Sequence, residues 1–316
     1  MLEELKEEDV DGVVVDLRNN GGGSLGEANQ LVGLFIETGA TVQIRYSGIR
    51  NGFTRPFGDN DPEVAYTGPL AVLVNRTSAS ASEIFAGAIQ DYQRGLVLGG
   101  QTFGKGTVQE IIPMDYGQVK LTRSKFYRIS GESTQHRGVI PDITFPDFYD
   151  AYDDIGESSL DGALPWDTVR PVEYRAYHPI QAAIPELKSL HEERAKTSPD
   201  FNYLLGQIER TRELREREEI SLNEVVVKQE REDARKEEFE AENMRRALKG
   251  LPLEEWVEDE DVDEDSLASS DSEVIEPKEN EEDSELEEDD PLILESGRIL
   301  ADYINLNERR VSSINN

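Results

Sequence analysis

The chain has 316 residues, of which 36% are hydrophobic and 32% charged, and its formal net charge is −34. A surface that negative repels the phosphates of nucleic acid and of anionic membranes, so neither is expected as a partner. Cysteine is absent, which excludes disulfides, thiolate metal sites and a cysteine nucleophile.

Residues 1 to 147 read as α/β. Met1-Leu2-Glu3-Glu4 leads straight into charge and carries no export signal. Val13-Val14-Val15-Asp16-Leu17 is a short apolar run and predicts a buried strand. Leu25, Ala28, Val32, Phe35 and Ile36 then recur at helical spacing, with Gly39 as the closing residue. Thr41 to Tyr46 alternates like a strand, and Pro69 to Val74 is a second buried strand. It leads into Asn75-Arg76-Thr77-Ser78-Ala79-Ser80-Ala81-Ser82-Glu83, where hydroxyls crowd the start of a helix running to about Tyr92. Ser80-x-x-Glu83 has the form of a capping box, and Ile84, Phe85 and Ala88 give that helix a buried face. Leu96-Val97-Leu98 is a third buried strand. Thr107 to Ile112 and Val119 to Ile129 are two more. Strands and helices in alternation imply a mixed, mostly parallel sheet with crossover helices.

Residues 148–180, rich in Asp, Gly, Pro and Tyr, read as a linker. Residues 181–250 read as a charged helical domain, with Pro185 and Pro199 near helix starts and Leu222 to Val227 as a possible short strand. Phe201, Leu204, Leu205 and Ile208 form one apolar face, whereas Gln229 to Lys249 has few apolar residues and must be largely exposed. Between Glu254 and Asp290 the chain has 21 acids and a single base, Lys278. Residues 251–290 therefore read as a disordered acidic insertion, or else as an acidic docking segment. Residues 291–308 form a final amphipathic helix that must pack on something. No apolar run approaches the roughly 20 residues of a membrane span.

Three motifs carry chemical meaning. Gly21-Gly22-Gly23-Ser24-Leu25-Gly26 fits G-x-G-x-x-G, the dinucleotide-binding pattern. The following strand ends Ile44-Arg45-Tyr46-Ser47, however, without the acid that holds a ribose; Arg45 could meet only a 2′-phosphate. The same glycines could instead bring backbone N–H groups to a reacting carbonyl as an oxyanion hole, or simply make a tight turn. Gly99 to Gly106 nearly spells a phosphate-binding loop, but Gly106 stands where the Mg²⁺-binding hydroxyl belongs, and a strand follows rather than a helix. Lys105, between two glycines, is either a surface lysine or a base. The second role requires burial to bring a lysine pKa from about 10.4 toward 7 or 8. Of the histidines, His178 and His191 lie outside the α/β core, so His136 is the one candidate for a Ser-His pair. A serine hydrolase built on this chain would more plausibly use lysine.

Taken together, Asp16-Leu17-Arg18-Asn19-Asn20-Gly21-Gly22-Gly23, Ser78-Ala79-Ser80-Ala81-Ser82-Glu83-Ile84-Phe85 and Phe103-Gly104-Lys105-Gly106-Thr107-Val108-Gln109 resemble the carboxy-terminal processing peptidases. More closely they resemble the tail-specific protease branch of Gram-negative bacteria. The likeness continues through Lys125-Phe126-Tyr127-Arg128, Ser133-Thr134-Gln135, Gly138-Val139-Ile140-Pro141-Asp142 and Ala163-Leu164-Pro165-Trp166-Asp167, and more loosely over the helical tail. The resemblance implies a crotonase-like protease core over 1–147 and a serine endopeptidase working through a Ser-Lys dyad. It implies Ser80 as nucleophile, Lys105 as general base, Gln109 as the residue that orients the lysine, and Asp91 as an aspartate important for activity. The backbone N–H groups of Ala81 and Gly22 would form the oxyanion hole. No metal or organic cofactor is implied. The expected substrates are proteins with apolar C-termini, the expected setting is the periplasm, and a lipoprotein adaptor is an expected partner. Members of the family carry a signal sequence, an N-terminal helical region and a PDZ domain before the core. Their absence here leaves two other readings: a truncated, non-catalytic interaction module, and a nucleotide-binding enzyme using the glycine motif.

Overall fold

The computed structural model describes residues 2–8, 10–46, 53–152, 154–256 and 290–314, so most of the acidic insertion expected over 251–290 lies outside the described residues. In chain order the elements are α1 (Leu2–Glu7), β1 (Val13–Asp16), α2 (Leu25–Gly33), β2 (Gly39–Tyr46), β3 (Thr54–Asp59), β4 (Leu70–Val74), α3 (Ala81–Asp91) and β5 (Leu96–Gly99). They continue with β6 (Thr107–Pro113), β7 (Gln118–Tyr127), β8 (Ile143–Thr144), α4 (Ile184–Thr197), α5 (Pro199–Arg215), α6 (Glu224–Lys249) and α7 (Pro291–Ile314).

The strands form two sheets, which corrects the expectation of a single mixed, mostly parallel one. The first has the order β1-β4-β5-β8 and every pair in it is parallel. The second has the order β3-β2-β7-β6 and every pair is antiparallel. The segregation follows from the connections. Parallel neighbours need a crossover, and α3 supplies it between β4 and β5. Strands β6 and β7 are instead joined by a tight turn, in which Met114 N–H donates to the Gly117 carbonyl at 3.0 Å and Gly117 takes φ +79°. Strand β3 carries Pro56 and Gly58, which hide it in the sequence; as an edge strand it tolerates the proline.

Alternation along the parallel strands sorts side chains into two cores. Leu70, Val72 and Val74 of β4 join Val32, Phe35, Phe85 and Ile89 of the α2–α3 layer. Ala71 and Leu73, pointing the other way, join Leu187, Phe201, Ile299, Leu300 and Tyr303 from α4, α5 and α7. The far side of α3 is covered too, because Ile84 packs on Val42, Ile44 and Phe126 of the antiparallel sheet. Helix α3 thus lies between the two sheets, and its first nine residues are all buried. Across α4 and α7 the buried Glu295 carboxylate meets His191 Nδ1 at 3.0 Å and Arg194 Nε at 2.9 Å, so its charge is paired.

One compact unit comprises residues 1–215 and 291–316, and a second comprises 216–290. The first therefore runs through the expected linker at 148–180 and takes in α4 and α5 of the expected helical domain. In the second, the possible strand at Leu222–Val227 is the start of α6, because the Asn223 side chain caps the Val225 N–H at 3.0 Å. Helix α6 buries no residue. Glu-to-Lys and Glu-to-Arg pairs four residues apart, at Glu224–Lys228, Glu232–Lys236 and Glu242–Arg246, support it instead. Among the described residues no helix is long and apolar enough to cross a membrane.

The closing helix gives a stability contrast. Ile299 is fully buried against the parallel sheet, whereas Leu294 on the same helix is 41% exposed. Ile299→Ala is expected to cost about 2–5 kcal/mol in urea unfolding, and Leu294→Ala under about 1 kcal/mol. Equal effects would mean that α7 does not seat on the sheet through this face.

Candidate active site

Strands β1, β4 and β5 are parallel neighbours. The loops that follow them, at 17–24, 75–80 and 100–106, consequently open on the same edge of the sheet, where open α/β sheets hold their ligands. The three motifs met along the sequence are these three loops.

The hydroxyls of the serine stretch divide into structural ones and one that stands apart. Thr77 Oγ1 donates to Asn19 Oδ1 at 2.9 Å, Ser78 Oγ to the Leu17 carbonyl at 2.7 Å, and Ser82 Oγ to Asn20 Oδ1 at 2.8 Å. Each ties the serine loop to the glycine loop after β1. Ser80 makes no side-chain capping bond. Its backbone sits at φ 58° and ψ −111°, a conformation that costs a non-glycine residue on the order of 1–3 kcal/mol. The expected capping box is present, with the Ser80 side chain facing the Glu83 N–H without a full hydrogen bond and the Ser80 N–H donating to Glu83 Oε2 at 2.7 Å.

Glu83 joins this loop to the lysine loop. Its fully buried carboxylate also accepts from Thr102 Oγ1 at 2.6 Å, Gly104 N–H at 2.8 Å and Lys105 N–H at 3.0 Å. Thr102 Oγ1 itself accepts from Val139 N–H, which leaves its proton for Glu83. Burial pushes Glu83 up to about 7, against the pull of its four donors.

Ser80, Ala81, Lys105 and Gln109 line one cavity of about 330 Å³, together with Gly23 and Lys120. Leu25, Ile84, Val108 and Phe126 give it an apolar wall. Thr107, Val108 and Gln109 all reach this cavity although they are consecutive on β6. A register shift against β7 between Val108 and Gln109 breaks the alternation there. Ala81 opens α3, so its amide points out of the helix with no preceding turn to satisfy it.

Gly22 and Asp91, which the resemblance also implies, each have a partner of their own. The Gly22 N–H donates to Asn20 Oδ1 at 2.9 Å, so its proton is already committed. What Gly22 provides is room: at φ +93°, a Cβ there would lie 2.5 Å from the Ala79 carbonyl oxygen and 2.7 Å from the Ala81 nitrogen. Asp91 ends the 11-residue helix that Ser80 begins, about 16 Å away along its axis at ~1.5 Å per residue. Its carboxylate pairs with Arg128, accepting from Nε at 3.2 Å, and does not line the cavity. His136 does not line it either; its N–H donates to the Gly104 carbonyl at 2.9 Å.

The rival readings of the glycine motifs meet occupied donors. The amides of Gly104, Lys105 and Gly106, which would cradle a phosphate, are bound to Glu83 and to Gln135. A second cavity, of about 300 Å³, is also lined by a serine and a lysine, Ser124 and Lys125. The Lys125 ammonium there is committed to Asp167 and the Pro165 carbonyl. Glu83, Asn20, Gln135 and the strained backbone of Ser80 were not foreseen as parts of the site. Only Glu83 had a local signal, its place in the capping-box pattern.

Residues 1–145 match peptidase family S41, and residues 151–305 match the C-terminal domain of tail specific protease. The chain is 40% identical over 270 residues to a tail-specific protease of Haemophilus influenzae, covering 79% of this chain and 38% of that protein. It is 41% identical over 159 residues to a carboxy-terminal-processing protease of Bartonella bacilliformis, covering 48% of this chain and 36% of the other. The solved structure of a photosystem II D1 C-terminal processing protease aligns at 37% identity with a TM-score of 0.40, over 45% of this chain and 36% of that one. The chain thus spans under two fifths of the length of these relatives.

Two outcomes follow from the geometry. Gly22→Ala must force a Cβ into backbone and is expected to lose about 2 kcal/mol or more of stability, whereas Gly23→Ala, with nothing within 4 Å of its Cβ, should be near neutral in thermal unfolding. Glu83, normally 4.5 and here about 7, favours the protonated form in the fold. Its stabilising contribution is complete below pH 4.5 and is lost as pH rises through 7. Relative to Glu83→Gln, the wild type should lose stability across that window with a slope of up to about 1.4 kcal/mol per pH unit. Parallel stability curves for the two proteins would contradict the assignment.

Proposed function

Because the chain belongs to peptidase family S41, with the C-terminal domain of tail-specific proteases behind its core, we propose that it is the catalytic part of a serine endopeptidase in which Ser80 is the nucleophile and Lys105 the general base. One observation carries this reading. Three hydroxyls of the serine stretch are tied into structure, and the fourth, on a strained backbone at a helix start, shares a cavity with Lys105.

The chemistry is acyl transfer. The free amine of Lys105 takes the Ser80 Oγ proton as Oγ bonds to the substrate carbonyl carbon. The carbonyl oxygen becomes an oxyanion, met by the Ala81 N–H at the start of α3. With the Gly22 proton bound to Asn20, the Gly23 N–H is the second donor from the glycine loop. The C–N bond then breaks, and the departing amine takes the proton back from the lysine. Water, deprotonated by the Lys105 amine, then attacks the acyl carbon; the bond to Oγ breaks, and Oγ takes that proton back from Lys105, which restores both residues. The Gln109 side chain orients the lysine without adding a negative charge that would hold the proton on it. Asp91 has no place in these steps; through Arg128 it holds the far end of α3.

The names of the relatives support substrates cleaved at or through their C-termini, and apolar tails are the class proposed here. A periplasmic setting and a lipoprotein adaptor rest on the resemblance to the Gram-negative branch alone.

A fluorophosphonate should label Ser80, and Lys105→Ala should slow that labelling at least about 10²-fold, the scale of a lost general base. An unlabelled Ser80 in the folded chain would make it an interaction module instead. His136→Ala should stay within a few-fold of wild type.

The rate on a peptide should climb with pH. Glu83 adds a limb near 7, where its carboxylate gains the charge its four donors require. That limb must survive His136→Ala; its disappearance in that variant would reassign the base to histidine.

A further inference from the structure

The lysine loop is held from a second side, by residues with no part in the chemistry above. Gln135 is fully buried, and its Oε1 accepts from the Gly106 N–H at 2.8 Å. Its Nε2 donates to Glu157 Oε1 at 2.8 Å. The orientation of this amide is fixed by its partners, because Gly106 offers only a proton and Glu157 an acceptor. The contact is close: a Cβ at Gly106 would lie 2.7 Å from the Gln135 nitrogen. The segment that carries Glu157 binds the loop directly as well. The Glu157 N–H donates to the Phe103 carbonyl at 2.9 Å, and Arg76 bridges the carbonyls of Thr102 and Ile155 at 3.1 and 2.8 Å.

Glu157 lies in the part of the chain that matches the C-terminal domain of tail specific protease, and Gln135 in the part that matches the peptidase core. The division between the two thus runs behind the lysine loop. We propose that Gln135 and Glu157 are positioning residues for Lys105. By this arrangement the C-terminal region completes the catalytic site, and the base is in register with Ser80 only while the segment at 155–157 is docked. The proposal rests on Lys105 being the base.

Three variants of the full chain test it: Gln135→Leu, Glu157→Ala and Glu157→Gln, the last keeping the acceptor oxygen. Two readouts are needed, amide hydrogen exchange across 104–106 and the rate of fluorophosphonate labelling of Ser80. Gln135→Leu and Glu157→Ala should speed exchange at Gly106 about tenfold or more, the scale of one lost buried hydrogen bond, while the amides of α3 keep their protection. Both should slow labelling by about tenfold or more, and lower kcat on a peptide with KM little changed. Glu157→Gln should stay within about threefold of wild type on every readout. Should Gln135→Leu fail to fold, Glu157→Ala, which leaves Gln135 in place, carries the same comparison. Unchanged exchange at Gly106 overturns the clamp. Faster exchange with unchanged labelling overturns the positioning role. A wild type that never labels, with the loop exchange behaving as described, removes the Ser80–Lys105 reading and leaves a clamp that is structural only.

Discussion

One buried carboxylate sets the geometry of this site. Glu83 receives Ser80 N–H and Lys105 N–H on one oxygen and Thr102 Oγ–H and Gly104 N–H on the other. An ionised carboxylate is acceptor-only, with room for about four such bonds, and here its capacity is full. Burying the charge is costly, which pushes the group up to about 7 even with these partners, and replacing the carboxyl by an apolar side chain would leave four buried donors unsatisfied. The backbones of Ser80 and Lys105 are thereby fixed to the same atom, Glu83 Oε2. The same two loops are also joined backbone to backbone, with the Phe103 N–H donating to the Ser78 carbonyl at 3.0 Å.

The sheet brings the loops within reach of that carboxylate. Because β1, β4 and β5 are adjacent and parallel, their C-terminal ends deliver the glycine, serine and lysine loops to one edge. Helix α3 starts there and is clamped between the two sheets, so the end bearing Ser80 cannot drift. That rigidity allows the strained φ at Ser80 to persist. The bonds from Ser78 to Leu17 and from Ser82 to Asn20 lock the same turn from either side of the nucleophile.

Much of this was legible in the sequence because it is local. The buried strands at 13–16, 70–74 and 96–99, the helix after Ser80 and the three loop motifs are short patterns with a period or a signature. What stayed out of view depends on partners far along the chain. Asp91 is ion-paired with Arg128, 37 residues away, and no local pattern announces that pairing. Three strands of the antiparallel sheet were legible, at 41–46, 107–112 and 119–129, but their pairing into a sheet of their own was not, because β2 meets β7 about 80 residues along the chain. The passage at 148–180 reads as linker by composition, yet Glu157 is buried and its N–H donates to the Phe103 carbonyl of the lysine loop at 2.9 Å. Polar residues buried for their hydrogen bonds look like surface residues in a sequence.

The placement of a lysine base poses a harder problem than that of a serine. Serine has one rotatable bond to its oxygen, so fixing its backbone nearly fixes the hydroxyl. Lysine has a flexible four-carbon stem, and its ammonium is strongly hydrated. Holding its amide with Glu83 settles only where the stem begins. The remainder falls to the cavity, which Leu25, Ile84, Val108 and Phe126 line beside Lys105 and where they offer the stem an apolar wall. Gln109 lines the same cavity as Lys105 because the register shift on β6 breaks the alternation beside Val108. The irregularity in the antiparallel sheet and the buried carboxylate behind the loops therefore serve the same demand from opposite ends of one side chain.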